Sequence, residues 1–306
     1  NPRVEIFLHD NAFRNDPMSA NRPDWNQIRQ AQGPVIDAAL DVVGLNAHAV
    51  ERVEQRITVP NVVGMIRGSD PALANEYVVY SAHMDHVGFA GDGVGGCRAN
   101  PARDGVPADS ICNGADDDAS GSTAVLSIAE SFARLKVKPR RSIIVLHVSG
   151  EEKGLLGSAW YADHPTVPAA QIVANINMDM VGRNNPDSIL VIGKEHSDLG
   201  ATLARVNARH PELGLTTSDD LWPQERFYFR SDHYNFARKG VPILFFFNGV
   251  HPQYHRADDH VELIDEDKLS RVSKIAFYLG AEIANTAARP QWNPASSAET
   301  VEGPGR

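Results

Sequence analysis

The sequence predicts an α/β fold in three layers, α/β/α, with helices on both faces of one central sheet. From about residue 57 onward, six apolar and β-branched runs alternate with helical patterns. Several of these runs are apolar at nearly every position, which is typical of strands that are covered on both faces. Strands of this kind, alternating with helices, indicate the layered α/β/α arrangement.

Each element is predicted from its own run of residues. The strand runs are, in chain order, ITVPNVVGMI, YVVYSAH, SIIVLHVS, QIVANINMD, SILVIG and VPILFFF. One helix is predicted in SGSTAVLSIAESFARL, where Val125, Ile128 and Phe132 lie on one stripe. Ser120 or Ser122 is expected to cap its N-terminus. A second helix is predicted in DEDKLSRVSKIAFYLGAEIANTA, which begins with acidic residues that suit the positive end of a helix dipole.

The chain is expected to divide into three parts. Residues 57–288 are predicted to form the domain that carries the chemistry. Residues 1–56 are less regular and are predicted to be an accessory N-terminal segment with no assigned chemistry. Residues 289–306 are rich in Pro, Ser, Ala and Gly and are predicted to be a surface tail. The sequence begins with Asn1 rather than Met, so we expect that an upstream segment has been removed.

Composition indicates which partners to expect. The net charge is −10 and the isoelectric point is near 5.6, so no nucleic-acid partner is expected, because such domains usually carry a basic face. The longest apolar stretches are shorter than the roughly 20 residues that a membrane helix needs, so no membrane span is expected. No feature of the sequence indicates an oligomeric state.

Two cysteines, Cys97 and Cys112, lie 15 residues apart in a loop rich in Gly, Asp and Pro. A disulfide would brace this long loop, which has few other means of holding its shape. The alternative is a pair of free thiols in a reducing compartment. The sequence favours the disulfide.

Five side chains that can bind metal stand in separate motifs. They are His83 in SAHMDHVG, Asp117 in NGADDDASG, Glu152 in SGEEKGLLGS, Asp179 in NINMDMVG and His255 in QYHRADD. Zn²⁺ accepts imidazole and carboxylate ligands, and a catalytic site uses three protein ligands per ion. Five residues therefore serve two zinc ions if one carboxylate bridges them. Glu151, directly before Glu152, is then free to act as a general base.

The positions of these residues on the predicted fold favour a single site. His83, the pair Glu151 and Glu152, and Asp179 each follow the end of an apolar run. In open α/β sheets the binding crevice lies outside the carboxyl ends of the strands. Asp117 precedes a helix, and His255 lies in a loop after VPILFFFNGV, so both are placed to reach the same crevice.

The ordered set of motifs resembles the co-catalytic dizinc aminopeptidases of metallopeptidase family 28, over about residues 57–285. The resemblance implies a zinc exopeptidase fold with a central mixed, mostly parallel sheet, two Zn²⁺ ions and a peptide substrate. By motif, it places one zinc between His83, Asp117 and Asp179. It places the other between Asp117, Glu152 and His255, so that Asp117 is the bridge.

The resemblance also implies roles for three further residues. Glu151 matches the general base, which takes a proton from the metal-activated water that hydrolyses the N-terminal residue from a peptide. Asp85 matches a carboxylate that orients the His83 imidazole. Tyr254 matches a tyrosine that in some members hydrogen-bonds the developing oxyanion. The similar enzymes are secreted or periplasmic bacterial proteins, so the same location is expected here.

Several residues near the motifs admit a second interpretation. Asp116 and Asp118 compete with Asp117 for the bridging position, and alignment on the following ASG selects Asp117. Arg230 and Asp232 either contact substrate or pair with each other. Three other histidines are expected to have structural or hydrogen-bonding roles: His86, His147 and His233.

Other functions remain as alternatives to the aminopeptidase. A carboxypeptidase or dipeptidase of the same family is the nearest. A glutaminyl cyclase-like acyltransferase is less favoured, because such enzymes use a single zinc and here all five positions are filled. A non-catalytic relative is expected to have lost ligands or the base. Residues expected to line the substrate pocket are Leu221, Trp222, Phe227 and Tyr228, which favour a large apolar N-terminal residue. The alternative is that these residues belong to the core.

Overall fold

The computed structural model describes residues 58–91, 96–103 and 105–296. The accessory segment predicted for residues 1–56 lies outside these residues, as does the last part of the predicted tail, residues 297–306. Among the described residues, no helix is both long enough and apolar enough to cross a membrane.

A seven-stranded mixed sheet forms the centre of the described chain. Its strands are β1 (Val62–Ile66), β2 (Tyr77–His83), β3 (Ser142–Val148), β4 (Ile172–Met178), β5 (Ser188–Ile192), β6 (Thr216–Ser218) and β7 (Ile243–Phe247). Their order across the sheet is β1-β3-β2-β4-β7-β5-β6. β1 and β5 run antiparallel to β3 and β7, whereas the other neighbouring pairs are parallel. This confirms the predicted mixed, mostly parallel sheet.

Five α-helices flank the sheet within the described residues. They are α1 (Gly121–Arg134), α2 (Leu156–Asp163), α3 (Leu199–Arg209), α4 (His233–Ala237) and α5 (Glu266–Asn285). The two predicted helices correspond to α1 and α5. Helix α5 is capped by Asp265, whose carboxylate accepts a hydrogen bond from the Lys268 backbone N–H at 2.9 Å.

The predicted cap of α1 is confirmed in its position but not in its hydrogen bond. Ser120 stands at the N-cap position but makes no capping bond, because its hydroxyl donates to the Asp116 carbonyl at 2.8 Å. The Ser122 hydroxyl donates to the carbonyl of His83 at 2.7 Å. Both hydroxyls therefore bond carbonyls of neighbouring segments instead of capping the helix.

The core lies on both faces of the sheet, as the continuous apolar runs predicted. Side chains alternate along a strand, so neighbouring residues of β2 enter different layers. Val78 and Tyr80 pack with α1, α3 and α5, whereas Tyr77 and Val79 belong to the opposite layer with α2 and α4. The sheet thereby separates two apolar layers and holds its strand ends in fixed positions.

The long loop between β2 and α1 folds back on itself as a ribbon. We call its described residues, 88–91, 96–103 and 105–112, the disulfide ribbon. Phe89 faces Ile111 across it, and Cys97 and Cys112 form a disulfide with their Cα atoms 5.8 Å apart. The structure thus has the disulfide that the sequence favoured over two free thiols.

The described part of the predicted tail lies on the surface and is attached to the domain. The indole N–H of Trp292 donates to the Gly240 carbonyl at 2.7 Å. The backbone N–H of Asn293 donates to the carbonyl of His196, also at 2.7 Å. Residues 289–296 therefore have fixed contacts that their composition did not indicate.

Candidate metal centre

Three parallel strands deliver their last residues to one edge of the sheet. His83 is the final residue of β2, and Asp179 directly follows β4. Glu151 and Glu152 lie in the turn after β3, which pairs in parallel with β2. Asp117 comes from the loop before α1 and completes the group from the side. The fold thus brings side chains from distant motifs to one place.

Asp117 lies between two imidazoles. Its Oδ1 is 3.2 Å from His83 Nε2, and its Oδ2 is 3.3 Å from His255 Nε2. Each of these nitrogens also faces a second carboxylate: His83 Nε2 is 3.6 Å from Asp179 Oδ1, and His255 Nε2 is 3.1 Å from Glu152 Oε2. All five predicted ligands therefore meet, with one oxygen of Asp117 directed to each half of the site.

The donor atoms fit a metal better than they fit one another. His83 Nε2, Asp117 Oδ2 and Glu152 Oε1 are buried and have no hydrogen-bond partner. Buried polar atoms are normally hydrogen-bonded, so three unsatisfied atoms at one place are typical of a site that binds a cation. The spacings of 3.1–3.6 Å between the facing ligand atoms match the edge of about 3.3 Å expected for tetrahedral zinc with bonds of ~2.0–2.1 Å.

Asp118 also lies close to His83 and Asp179 and could complete a metal group with them. Its oxygens are already occupied, however. Oδ1 accepts hydrogen bonds from the backbone N–H groups of Gly121 and Met180 at 3.0 and 3.1 Å, and Oδ2 accepts one from the N–H of His83 at 3.1 Å. Asp118 therefore fixes the backbone around the ligands.

Asp116 is likewise engaged elsewhere. Its Oδ1 accepts from the Gly182 N–H at 2.7 Å, and its Oδ2 accepts from the Asn248 side-chain amide at 3.2 Å. The same Oδ2 lies 3.3 Å from Nε2 of the buried His251. Of the three adjacent aspartates, Asp117 alone directs its carboxylate at the ligand histidines.

Asp85 differs from its expected role. The Nδ1 atom of His83 is 2.9 Å from the backbone carbonyl of Asp85, whereas the Asp85 carboxylate is 3.9 Å away. That carboxylate instead accepts hydrogen bonds from the backbone N–H groups of Glu151 and Glu152 at 3.2 and 3.4 Å. Asp85 thus orients the imidazole through its main chain and the glutamate turn through its side chain.

Burial raises the pKa of Glu151 well above its ordinary value. A nearby His83 charge opposes this shift, whereas Asp232, Asp179 and Glu152 add to it. In His255, burial lowers the pKa, but Asp117 and Glu152 outweigh it and raise the value to about 9. The carboxylates around His255 thus favour a positive charge in this half of the centre.

The wall of the centre is partly aromatic. Tyr254 stacks on His255 with the ring centroids 3.9 Å apart, and it lines the same cavity as Glu151. The other apolar wall residues are Met180, Phe227, Phe245, Phe247 and Val250.

Of the four residues predicted to line the pocket, only Phe227 does so. Leu221 is 62% exposed, whereas Tyr228 is buried in the apolar layer of α2 and α4. Trp222 packs over Gly249, where an added Cβ would lie 2.7 Å from the indole ring. Sequence reasoning missed Phe245 and Phe247 because their run was interpreted only as a strand.

Three histidines outside the predicted ligands have different roles. His147 Nε2 lies 3.1 Å from the carbonyl of Ser122, and His233 Nε2 lies 2.8 Å from that of Tyr228, so both have structural contacts. His86 lies inside the centre, with Nδ1 2.9 Å from Glu152 Oε1.

Arg230 and Asp232 do not form the internal pair that was one of their two predicted roles. In the described part of the chain, the ion pair of Arg230 is with Glu225, at 3.8 Å. Arg230 lines the cavity, so substrate contact stays its prediction. Asp232 is fully buried, and burial raises its pKa to about 7.

The disulfide ribbon holds the segment that carries His255. The backbone N–H of Arg98 donates to the carbonyl of His255 at 2.9 Å, and the N–H of Ala257 donates to the carbonyl of Arg98 at 3.0 Å. His255 has a φ of 57°, a conformation that costs a non-glycine residue free energy and persists where the surroundings enforce it. These two bonds, next to Cys97, help to enforce it.

A peptidase family and several solved structures are similar to this chain. The model of peptidase family M28 matches residues 61–280. A probable leucine aminopeptidase of Trichophyton verrucosum is 25% identical over 259 residues, which cover 81% of this chain and 64% of that protein. The chain thus spans somewhat less than two thirds of this relative.

Solved structures show the same fold. The aminopeptidase from Aneurinibacillus sp. strain AM-1 is similar with a TM-score of 0.57 and 22% identity, covering 75% of this chain and 49% of that one. Glutaminyl cyclase of Porphyromonas gingivalis is similar with a TM-score of 0.56 and 20% identity, covering 73% and 77%. At these identities the likeness concerns the fold alone.

Proposed function

Because the chain belongs to peptidase family M28, we propose that it is a zinc aminopeptidase that removes N-terminal residues from peptides. The observation that carries the proposal is the position of Asp117, with one carboxylate oxygen facing His83 and the other facing His255. A carboxylate in this position suits two ions rather than one. The name of the related protein, probable leucine aminopeptidase, supports the activity.

The ligands divide into two sets that share Asp117. His83, Asp117 and Asp179 would hold one zinc, and Asp117, Glu152 and His255 would hold the other. Zinc bound in such a site makes a water molecule nucleophilic at neutral pH and polarises the scissile carbonyl.

The residues around the ligands supply proton transfer and orientation. Glu151 is a carboxylate without a metal role, and its backbone is fixed by Asp85, so it is placed to take a proton from the attacking water. It then delivers this proton to the leaving amine. Tyr254, stacked on His255 at the cavity wall, donates a hydrogen bond from its hydroxyl to the developing oxyanion.

The cavity wall favours a large apolar N-terminal side chain. Phe227, Phe247 and Val250 line it together with Met180. An apolar wall stabilises an apolar side chain by about 25 cal/mol for each Å² that it removes from water. Arg230, at the same wall, would disfavour basic side chains.

A substrate panel with zinc present tests the proposal. The panel contains leucyl anilide, lysyl anilide, leucyl anilide with an acetylated amine, an N-blocked peptide with a free carboxyl end, and a peptide that begins with glutamine. We expect turnover only of substrates with a free amine, and more for leucine than for lysine. Release of C-terminal residues would support the carboxypeptidase alternative, and ring closure of N-terminal glutamine would support the cyclase.

We also propose a secreted or periplasmic location. The disulfide between Cys97 and Cys112 supports it, because such bonds persist mainly in oxidising compartments. Fractionation of the source cells, followed by alkylation of free thiols, tests this proposal. Recovery of the protein in the cytosol with two alkylated thiols would contradict it.

A further inference from the structure

We propose that His86 is a sixth metal ligand, which binds the same ion as Asp117, Glu152 and His255. The inference rests on the proposed function, because it needs a metal at this centre. His86 lies in the loop after β2, three residues beyond His83. Its side chain is only 9% exposed, so the imidazole is part of the interior of the site.

The position of His86 matches that of His255 on the other side of the same two carboxylates. Nδ1 of His86 is 2.9 Å from Glu152 Oε1 and 3.8 Å from Asp117 Oδ2. Nε2 of His255 is 3.1 Å from Glu152 Oε2 and 3.3 Å from the same Asp117 Oδ2. Donor atoms of His86, Asp117 and Glu152 all lie within 4.8 Å of one another, close enough to share an ion.

The contact between His86 and Glu152 is close but poorly directed for a hydrogen bond. His86 Nδ1 and Glu152 Oε1 are 2.9 Å apart, yet both atoms are buried without a well-directed hydrogen-bond partner. A buried imidazole nitrogen and a buried carboxylate oxygen are costly to leave unsatisfied. A cation that both atoms contact would satisfy them together.

The backbone is built to admit the imidazole. Gly114, with φ of 64°, packs against the His86 ring, and an added Cβ would lie 2.6 Å from the ring carbon Cγ. The same Cβ would lie 2.3 Å from the carbonyl oxygen of Asp117. A glycine at this point therefore lets the ring and the bridging residue approach each other.

Six ligands make the two ions unequal. The ion at Glu152 would have four protein ligands, as in closed structural zinc sites. The ion at His83 and Asp179 would have three, which leaves a position open for water. If His86 is the sixth ligand, the water that attacks the substrate would therefore bind at the ion with three protein ligands.

A crystal structure of the zinc-loaded protein tests the inference directly. We expect His86 Nδ1 at about 2.0–2.1 Å from the ion that Glu152 and His255 bind. A nitrogen that stays bonded to Glu152, beyond about 3 Å from the ion, would overturn the inference, since zinc–nitrogen bonds are ~2.0–2.1 Å long.

A zinc titration separates a ligand from a hydrogen-bond partner in solution. His86→Gln keeps a side-chain donor for Glu152 but removes the imidazole. Zinc-free protein is titrated with Zn²⁺ against a chromophoric chelator. If His86 is a ligand, one of the two zinc affinities falls by more than the roughly 10–100-fold that loss of an outer hydrogen bond costs. The other affinity stays unchanged.

The matched control is His147→Gln, since His147 is buried to a similar extent but bonds the Ser122 carbonyl outside the centre. We expect it to bind two ions with unchanged affinity. Circular dichroism of the zinc-free variants checks that both are folded. Wild-type affinities in His86→Gln would overturn the inference alone. A wild-type protein that binds no zinc would overturn the proposed function as well.

Discussion

Asp259 ties the backbone of the bridging aspartate to the loop that carries His255. It is fully buried, and its Oδ2 accepts hydrogen bonds from the backbone N–H groups of Asp116 and Asp117 at 3.0 and 3.2 Å. Its own carbonyl accepts a further bond from the Ala115 N–H at 3.2 Å. We therefore predict that Asp259→Ala destabilises the protein and weakens zinc binding together.

The size of the effect follows from the two lost bonds. A hydrogen bond to a charged group contributes roughly 1.5–3 kcal/mol, so two such bonds to Asp259 contribute roughly 3–6 kcal/mol. Alanine leaves both N–H groups buried without an acceptor. Water that enters the vacated space can satisfy one of them, so we expect a loss near the lower end, about 3 kcal/mol.

Asp259→Asn is the matched control, because its amide oxygen can still accept from both N–H groups. We expect it to lose about 1 kcal/mol of the free energy of unfolding, roughly a third of the loss in the alanine variant, since two neutral hydrogen bonds of roughly 1 kcal/mol each remain. Urea unfolding of zinc-free protein measures both losses, and chelator competition measures zinc affinity. If Asp259→Ala unfolds within about 0.5 kcal/mol of the wild type, the size of a neutral surface change, the reasoning fails. Equal losses in both variants would instead assign the effect to the Arg183 guanidinium, 3.7 Å from Asp259 Oδ1.

Three further predictions concern the base, the disulfide and a buried lysine. Glu151→Gln is expected to keep its zinc but to lose about 10²–10⁴-fold in kcat, measured with leucyl anilide and metal analysis; loss of the metal would contradict the role of Glu151 as a base. Replacing Cys97 and Cys112 by Ser should lower the free energy of unfolding by about 3 kcal/mol for this 15-residue loop and weaken zinc binding; unchanged zinc affinity would show that the ribbon does not position His255. Burial lowers the pKa of Lys268 to about 8, below the ~10.4 of an unfolded chain. Because the unfolded state then binds more protons between these values, this amine makes stability rise with pH from about 8 to about 10, and urea unfolding of Lys268→Met should lack that rise.

The sequence was most informative about strands long enough to show a pattern and about the site residues that follow those strands. All six predicted strands are present, and the three motifs that follow β2, β3 and β4 meet because those strands are parallel. Strand β6 was missed because its three residues are too few to show a period. Helices α2, α3 and α4 were not predicted either, and α4 has only five residues.

The pocket wall could not be predicted because a strand residue can belong to the core and to a site at once. Phe245 and Phe247 are two residues apart in β7 and therefore point to the same face. They are nearly fully buried, as core residues are, yet the carboxyl end of β7 brings them to the cavity beside Glu151. A continuous apolar run does not reveal which of its residues lie at the site.

The run of three aspartates shows why identical residues needed the structure to be distinguished. Asp116, Asp117 and Asp118 have the same charge and the same side chain, and resemblance alone selected the middle one. The structure supplies the physical reason, because backbone N–H groups face both oxygens of Asp118 and an N–H and an amide face those of Asp116. These hydrogen bonds orient the carboxylates of Asp116 and Asp118 towards the surrounding backbone and amide groups. Among the three aspartates, only Asp117 faces an imidazole nitrogen with each of its oxygens, which favours it as the residue that binds a metal in this centre.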